Sequence, residues 1–177
     1  MYSLPGKDQR DIAWKGAASC VEIVLDAYLK VRVSEITLES IVSEGPNYYL
    51  VVSWKGLKLK TRKVCTVGFV ESVSEGSRFT DVILGHEGAL VLVRVWPDRS
   101  VHDSVAGISA GDAVKVLGTL RVFREQVYIS PLVLRKVRPE YISEFVRRIE
   151  GDREAIFASL VERMPAGENT LKAGKSI

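Results

Sequence analysis

The chain has 177 residues, of which 46% are hydrophobic and 27% are charged. That length suits one globular domain with terminal additions, and the apolar fraction is too high for a disordered chain. No apolar run approaches the roughly 18–20 residues of a membrane helix, and the N-terminus lacks the apolar core of a signal peptide. We therefore expect an intracellular protein, in the cytoplasm or nucleoid or in the nucleus, with no membrane contact.

The net charge of +3 is concentrated in one short segment. Residues 54–63 carry five basic side chains and no acidic one. A local cationic patch favours contact with a polyanion, although lysines that guard a strand edge are an equally good explanation. Cys20 and Cys65 are the only cysteines, too few for a four-cysteine metal site, so we expect two reduced thiols and no metal ion.

The first part of the chain combines a helical pattern with short strand patterns. Apolar residues recur at helical spacing over residues 9–29, which predicts an amphipathic helix. Short strands are predicted over 31–36, 48–52 and 57–61. In the last of these strands the apolar face alternates with a cationic face, formed by Lys58, Lys60 and Arg62.

The middle of the chain predicts five strands, with the longest connection between the third and the fourth. Their ranges are Val64–Val73, Arg78–Leu84, Ala89–Trp96, Ala113–Phe123 and Gln126–Val137. This count and spacing are typical of a small barrel or sandwich. Gly68 and Gly118, inside strands, mark the bends that a small barrel needs to close.

The end of the chain predicts helix. Its apolar stripe consists of Ile142, Phe145, Val146 and Ile149. We expect a mainly β protein with flanking helices, divided as follows: an N-terminal helix and strand extension over 1–47, a barrel over 48–137, a helical segment over 138–165 and a flexible tail over 166–177.

Two of the predicted barrel strands end in the same pattern on the face away from the core. Alternation places Arg94 and Trp96 there in one strand, and Arg121 and Phe123 in the other. Tyr128 falls on the polar face of the last strand. An aromatic ring beside a guanidinium can stack on an unpaired base, whichever base it is. Packing of these rings against a terminal helix or a partner protein is the alternative.

These segments resemble a known family. VRVWPD over 93–98, followed by AVKVLGTLRVF over 113–123, resembles the third and fourth strands of the middle-sized subunit of eukaryotic replication protein A. The stretch YLVVSWKGLKLKTRKVCTVGFV resembles the approach to the first barrel strand in the middle subunit of the CST telomere complex. The resemblance implies a five-stranded OB-fold barrel in which Trp96 and Phe123 stack on bases.

The same resemblance implies a partner. The family's helix after the barrel joins a helical bundle with sister subunits, so the stripe of Ile142, Phe145, Val146 and Ile149 is expected to bind a larger OB-fold subunit of a heteromeric complex. The family's acidic pair before the third strand is absent here, because residues 85–88 are GHEG. That difference leaves the geometry of this turn open.

Two segments resemble motifs of known enzymes, but each lacks a feature that its motif requires. Residues 107–111 fit GxSxG, but they follow a loop and open a strand, whereas a nucleophile elbow follows a strand and opens a helix. Residues 173–176 resemble half of a phosphate-binding P-loop and lack its leading glycine. We therefore expect no enzyme activity, no cofactor and no small-molecule substrate.

The sequence thus predicts a subunit that binds single-stranded DNA by base stacking and phosphate contacts. The residues expected to carry binding are Lys58, Lys60, Arg62, Arg94, Trp96, Arg121, Phe123 and Tyr128. Two alternatives stay open: an assembly subunit whose barrel mainly scaffolds a protein complex, and an RNA-binding OB protein.

Overall fold

The computed structural model describes residues 21–162, in which the chain forms ten strands and two α helices. The elements, in chain order, are β1 Val21–Leu25, β2 Leu29–Lys30, β3 Ile41–Glu44, β4 Asn47–Trp54, β5 Leu57–Thr61, β6 Lys63–Glu75, β7 Thr80–His86, β8 Ala89–Val95, α1 His102–Val105, β9 Ala113–Phe123, β10 Gln126–Lys136 and α2 Glu140–Val161. Two short 3-10 turns, Val33–Glu35 and Leu38–Ser40, lie between β2 and β3.

Five of these strands close into a barrel in the order β6-β7-β8-β10-β9. The barrel closes because β6 also pairs antiparallel with β9, from Lys63 opposite Thr119 to Phe69 opposite Ala113. β8 and β10 run parallel, while the other neighbouring strands of the barrel are antiparallel. The predicted five-stranded OB-fold barrel, with the predicted strands in the predicted places, is confirmed.

Side chains at alternate positions of the strands fill this barrel. In β9, Val114, Val116 and Leu120 are buried inside, as their period of two predicts. Gly118 lies between them at a point where β10 comes very close, because a Cβ there would be only 2.5 Å from the carbonyl oxygen of Ser130. β10 has a register shift between Pro131 and Val133, so the two strands bend together where the barrel curls.

A second sheet lies N-terminal to the barrel, with the order β1-β5-β4-β3. β1 pairs parallel with β5, so the part of the predicted 9–29 helix that starts at Val21 is wrong. Ile23 and Leu25 pack on the core while Glu22 and Val24 are exposed, which is the period of a strand. Residues 9–20 lie outside the described residues.

The predicted strand over 31–36 is also wrong, because that segment contains a 3-10 turn, Val33–Glu35. Its apolar side chains are nevertheless core residues: Val31, Val33 and Ile36 are buried in the same cluster as the barrel interior. Burial therefore follows the apolar character of this segment, although its backbone does not form the expected strand.

The helix α2 covers part of the barrel's outer surface. Ile142, Phe145 and Ile149 are buried against Cys65 and Val67 of β6 and Ala113 of β9. The stripe was expected to bind a larger OB-fold subunit, and that contact stays a prediction: its large side chains already hold the helix on its own barrel, and Val146 is half-buried.

The division into residues 1–47, 48–137, 138–165 and 166–177 stays a prediction. Sheet pairing places β4 and β5 with β1 and β3 and not in the barrel.

The Cys65 thiol is buried, and desolvation raises its pKa. Within residues 21–162, no helix is both long enough and apolar enough to span a bilayer.

Candidate nucleic-acid interface

The two predicted stacking aromatics lie on the outside of the barrel. Thr80 pairs with Val95, so the next position along the register places Phe79 opposite Trp96. The Trp96 ring is half-buried, and its centroid lies 5.3 Å from that of Phe79 in an edge-to-face arrangement. Phe123, at the end of β9, is 56% exposed. The register places both rings as predicted, although only Phe123 is largely free.

Arg94 forms the centre of an aromatic sandwich. Its guanidinium carbon lies 3.9 Å from the ring centroid of Phe79 and 5.3 Å from that of Tyr128. Its Nε and Nη2 donate hydrogen bonds to the two carboxylate oxygens of Asp81, both at 2.8 Å. These hydrogen bonds hold the pKa of Arg94 above the ordinary arginine value.

This geometry refines the role expected for Arg94. The sequence placed Arg94 among the residues that bind the strand, but Asp81 neutralises its charge and occupies two of its nitrogens. Bidentate pairing fixes the plane of the guanidinium, and stacking then fixes the two rings. Phe79, Arg94 and Tyr128, with Asp81, therefore form a rigid platform, which Trp96 contacts through Phe79; we call these four residues the Arg94 platform.

Two tight connections flank the Arg94 platform along the strands. The β6–β7 loop, residues 76–79, is closed by a hydrogen bond from the Gly76 N–H to the Phe79 carbonyl oxygen at 3.0 Å. At the opposite end of the same face, Arg124 and Glu125 form the β9–β10 turn, both with positive φ. The Arg124 guanidinium lies 5.2 Å from the ring centroid of Phe123. In OB folds the loops at these two positions border the ligand groove.

The cationic strand differs from the prediction at Lys60. This lysine is only 2% exposed, and its ammonium group bonds to the carboxylates of Glu22 at 3.1 Å and of Glu44. The hydrogen bond to Glu44 is the main cause that raises its pKa. Lys60 is therefore wrong as a nucleic-acid contact: it joins β1, β5 and β3, and its charge is compensated.

The remaining predicted cations divide between two places. Lys58 is exposed on β5. Arg62 is half-buried and lines a cavity together with exposed Arg121, which lies opposite Tyr128 in the β9–β10 ladder. The fold therefore brings Arg121 next to the Arg94 platform and Arg62 next to Arg121.

Sequence reasoning missed Phe79 and Asp81. The signal was available, because Phe79, Asp81 and Ile83 alternate with the core residues of the second predicted barrel strand. Extending the alternation argument from the third and fourth strands to the second would have placed both residues on the outer face.

The GxSxG segment has the structural context that the sequence predicted. Ser109 lies in the loop before β9, and its N–H donates a hydrogen bond to the Asp112 side chain at 2.7 Å. A strand follows, so this is not a nucleophile elbow. Residues 173–176 lie outside the described residues.

Sequence comparison with known proteins identifies a relative of this chain. No protein-family model matches the sequence. A protein of Thermofilum pendens, described as an uncharacterized 18.7 kDa protein in a ribosomal RNA operon, is 36% identical over 143 residues, which cover 80% of this chain and 82% of that protein.

Two solved structures share the fold. A chain of the S. pombe Stn1–Ten1 complex superposes with a TM-score of 0.59 at 18% identity, over 73% of this chain and 93% of that chain. A chain of a replication protein A heterotrimer bound to single-stranded DNA gives a TM-score of 0.57 at 17% identity, over 74% and 98% of the two chains. The resemblance stated from the sequence is thus confirmed for the fold.

Proposed function

The chain belongs to the same family as the Thermofilum pendens protein, and we propose that it binds single-stranded DNA on the outer face of β8, β10 and β9. The observation that carries this proposal is the Arg94 platform, with Trp96 in contact with it and exposed Phe123 on β9, on the far side of β10. A rigid aromatic surface stabilises unpaired bases without choosing among them.

In the proposed mechanism, aromatic rings bind the bases and basic side chains attract the phosphates. Bases stack on Trp96 and Phe123, and each stack contributes on the order of 1–3 kcal/mol. Since Arg94 is neutralised by Asp81, the phosphates are attracted instead by Arg121 and Arg62 and by exposed Lys58. The superposed chain from a complex bound to single-stranded DNA supports this use of the fold.

Titration of a fluorescent oligothymidine with the purified protein at low salt tests the proposal. The variant Phe123→Ala removes an exposed ring, so we expect a normal fold and an affinity about tenfold lower, as loss of roughly 1.4 kcal/mol of stacking implies. Trp96→Ala should weaken binding at least as much. The matched control is Leu132→Ala, which truncates an exposed apolar side chain on the same strand pair beyond the bulge of β10.

Equal affinities for Phe123→Ala, Leu132→Ala and the wild type would remove this face from the binding site. Two further ligands distinguish single-stranded DNA from duplex DNA and from RNA. A DNA duplex of the same length should bind more weakly, because its bases are not free to stack. An oligouridine that binds much more tightly than oligothymidine would replace DNA by RNA as the ligand.

A protein-assembly role is the second candidate. Leu38 and Leu90 are exposed at a groove of about 320 Å³ that is also lined by Ile36 and Leu92. Exposed apolar side chains beside a groove are typical of protein contacts. Absence of any oligonucleotide binding at low salt would favour this role, and the contact would then lie elsewhere than the buried stripe of α2.

A further inference from the structure

A cavity of about 420 Å³ lies where the N-terminal sheet meets the barrel. Its walls come from β1 and the residue that follows it, from the β5–β6 corner, from Tyr49 of β4 and from Thr119 and Arg121 of β9. The volume falls within the range of small-ligand sites in proteins. Two separate parts of the fold create this space, so the barrel alone does not contain it.

The cavity carries an uncompensated positive charge among the residues that the structure describes. Lys63 is neutralised by Asp26, with Nζ and Oδ1 2.7 Å apart. Arg62 and Arg121, by contrast, have no ion pair or side-chain hydrogen bond in the described part of the chain. The Nε of Arg62 is buried there without a hydrogen-bond partner.

Since the Arg62 Nε is closed off from solvent, an anion in the cavity would meet the terminal nitrogens of the two guanidinium groups. Two arginines on one cavity match an oxyanion that accepts several hydrogen bonds, and guanidinium groups bind phosphate in this way. The chemistry of the cavity is therefore that of a phosphate site.

The cavity lies beside the proposed stacking surface. Arg121 is directly opposite Tyr128 in the β9–β10 ladder, and Cα atoms of such cross-strand pairs are about 5 Å apart. Tyr128 in turn contacts Arg94. A strand whose bases lie on the outer face of β8–β10–β9 therefore passes Arg121 as it leaves the Arg94 platform.

We propose that this cavity binds a phosphate group of the nucleic-acid strand between Arg62 and Arg121. The inference rests on the proposed function for the identity of the strand, but the phosphate site itself can be tested without any oligonucleotide. The phosphate is either an internal phosphodiester or a terminal phosphomonoester.

The first experiment uses pyrophosphate alone as the probe and measures thermal unfolding of the full chain. The wild type should be stabilised in a saturable manner, because a ligand that binds only the folded state raises its stability. Arg121→Gln, an exposed position, should lose most of this response with little change in the melting temperature without ligand. Arg62→Gln is the second variant, and Arg147→Gln on the exposed side of α2 is the matched control.

The second experiment measures oligothymidine binding against salt concentration. Each lost phosphate contact should reduce the slope of log K against log salt by about 0.7, so the Arg62→Gln, Arg121→Gln double variant should lose about 1.4. A 5′- or 3′-phosphorylated oligonucleotide that binds tighter than its hydroxyl form in the wild type alone would identify a terminal phosphate. Equal affinities for the phosphorylated and hydroxyl forms, with the reduced slope, would identify an internal one.

The inference is overturned if pyrophosphate stabilises Arg121→Gln and Arg62→Gln as much as it stabilises the wild type and Arg147→Gln. An unchanged salt slope in the double variant would overturn it as well. Failure of the proposed function has a different signature: oligonucleotides would not bind, while pyrophosphate would still discriminate the arginine variants from the control.

Discussion

At the scale of single residues, the turn beside Phe123 carries more backbone strain than two similar turns, because both of its central residues, and not only the first, are non-glycine. The β4–β5 turn is Lys55-Gly56 and the β7–β8 turn is Glu87-Gly88, with all four φ angles positive. The β9–β10 turn, Arg124-Glu125, has φ angles of 48° and 63° without a glycine. A side chain in this left-handed region costs about 1–2 kcal/mol, which glycine avoids.

Replacing Glu125 by glycine should therefore stabilise the protein. After the entropic cost of glycine in the unfolded chain, the expected gain in the free energy of unfolding is about 0.5–1 kcal/mol, measured by urea denaturation. The converse variant, Gly88→Ala, should lose about 1 kcal/mol. A less stable Glu125→Gly would mean that the Glu125 side chain itself contributes more than the strain costs.

At the scale of elements, two glycines have opposite environments. Gly118 lies where β9 and β10 approach each other, and a Cβ there would be 2.5 Å from the Ser130 oxygen and 2.6 Å from Ile129 Cγ2. Gly151 lies in the middle of α2, and no atom would be within 4 Å of its Cβ. Close approach of two backbones explains the first glycine, whereas the packing of α2 does not require the second.

The two alanine substitutions should thus have opposite signs. Gly118→Ala forces β9 and β10 apart where the barrel bends, which should cost about 3 kcal/mol of stability. Gly151→Ala should add about 0.5–1 kcal/mol, because alanine is the better helix former. Chemical denaturation of both variants checks this, and a Gly118→Ala variant as stable as the wild type would show that β10 can shift away.

At the scale of the whole molecule, the N-terminal sheet, the barrel and α2 share packing. One buried cluster contains Val33 and Leu50 from the N-terminal part together with the barrel interior. Arg153 of α2 is 3% exposed, and its Nη2 donates to Glu35 at 2.8 Å and to the Lys30 carbonyl oxygen at 3.3 Å. Removing one partner of a buried ion pair is strongly destabilising, so this contact holds the helix to the N-terminal segment.

Shared packing predicts that the N-terminal sheet and the barrel unfold together. Trp54 of β4 reports on the sheet and Trp96 on the barrel. The variants Trp14→Phe/Trp96→Phe and Trp14→Phe/Trp54→Phe each leave one of these reporters. Each variant's fluorescence transition in urea should coincide with its own far-ultraviolet circular dichroism transition. An earlier fluorescence transition for the variant that retains Trp54 would instead identify an independent N-terminal unit.

Much of this fold could be predicted from the sequence. Strict alternation in β8 and β9 predicted which side chains fill the barrel, and it placed Arg94, Trp96, Arg121 and Phe123 on the outer face. These predictions succeeded because a period of two leaves little freedom once one face must be buried. The helical stripe of α2 was likewise visible in the sequence, but its packing on the chain's own barrel was not predicted.

The sequence by itself determined the spacing at which apolar residues recur, and with it the barrel strands and their inner faces. Tertiary structure alone decided which charges are compensated, because Asp81 reaches Arg94 across a strand pair, whereas Glu22 and Glu44 reach Lys60 from two other strands. It also decided that α2 packs on its own barrel and that Arg62 and Arg121 share a cavity. The physical reason is that the spacing of apolar residues determines on which face of its own strand or helix a side chain lies. Charge compensation and cavities depend instead on which strands and helices pack together.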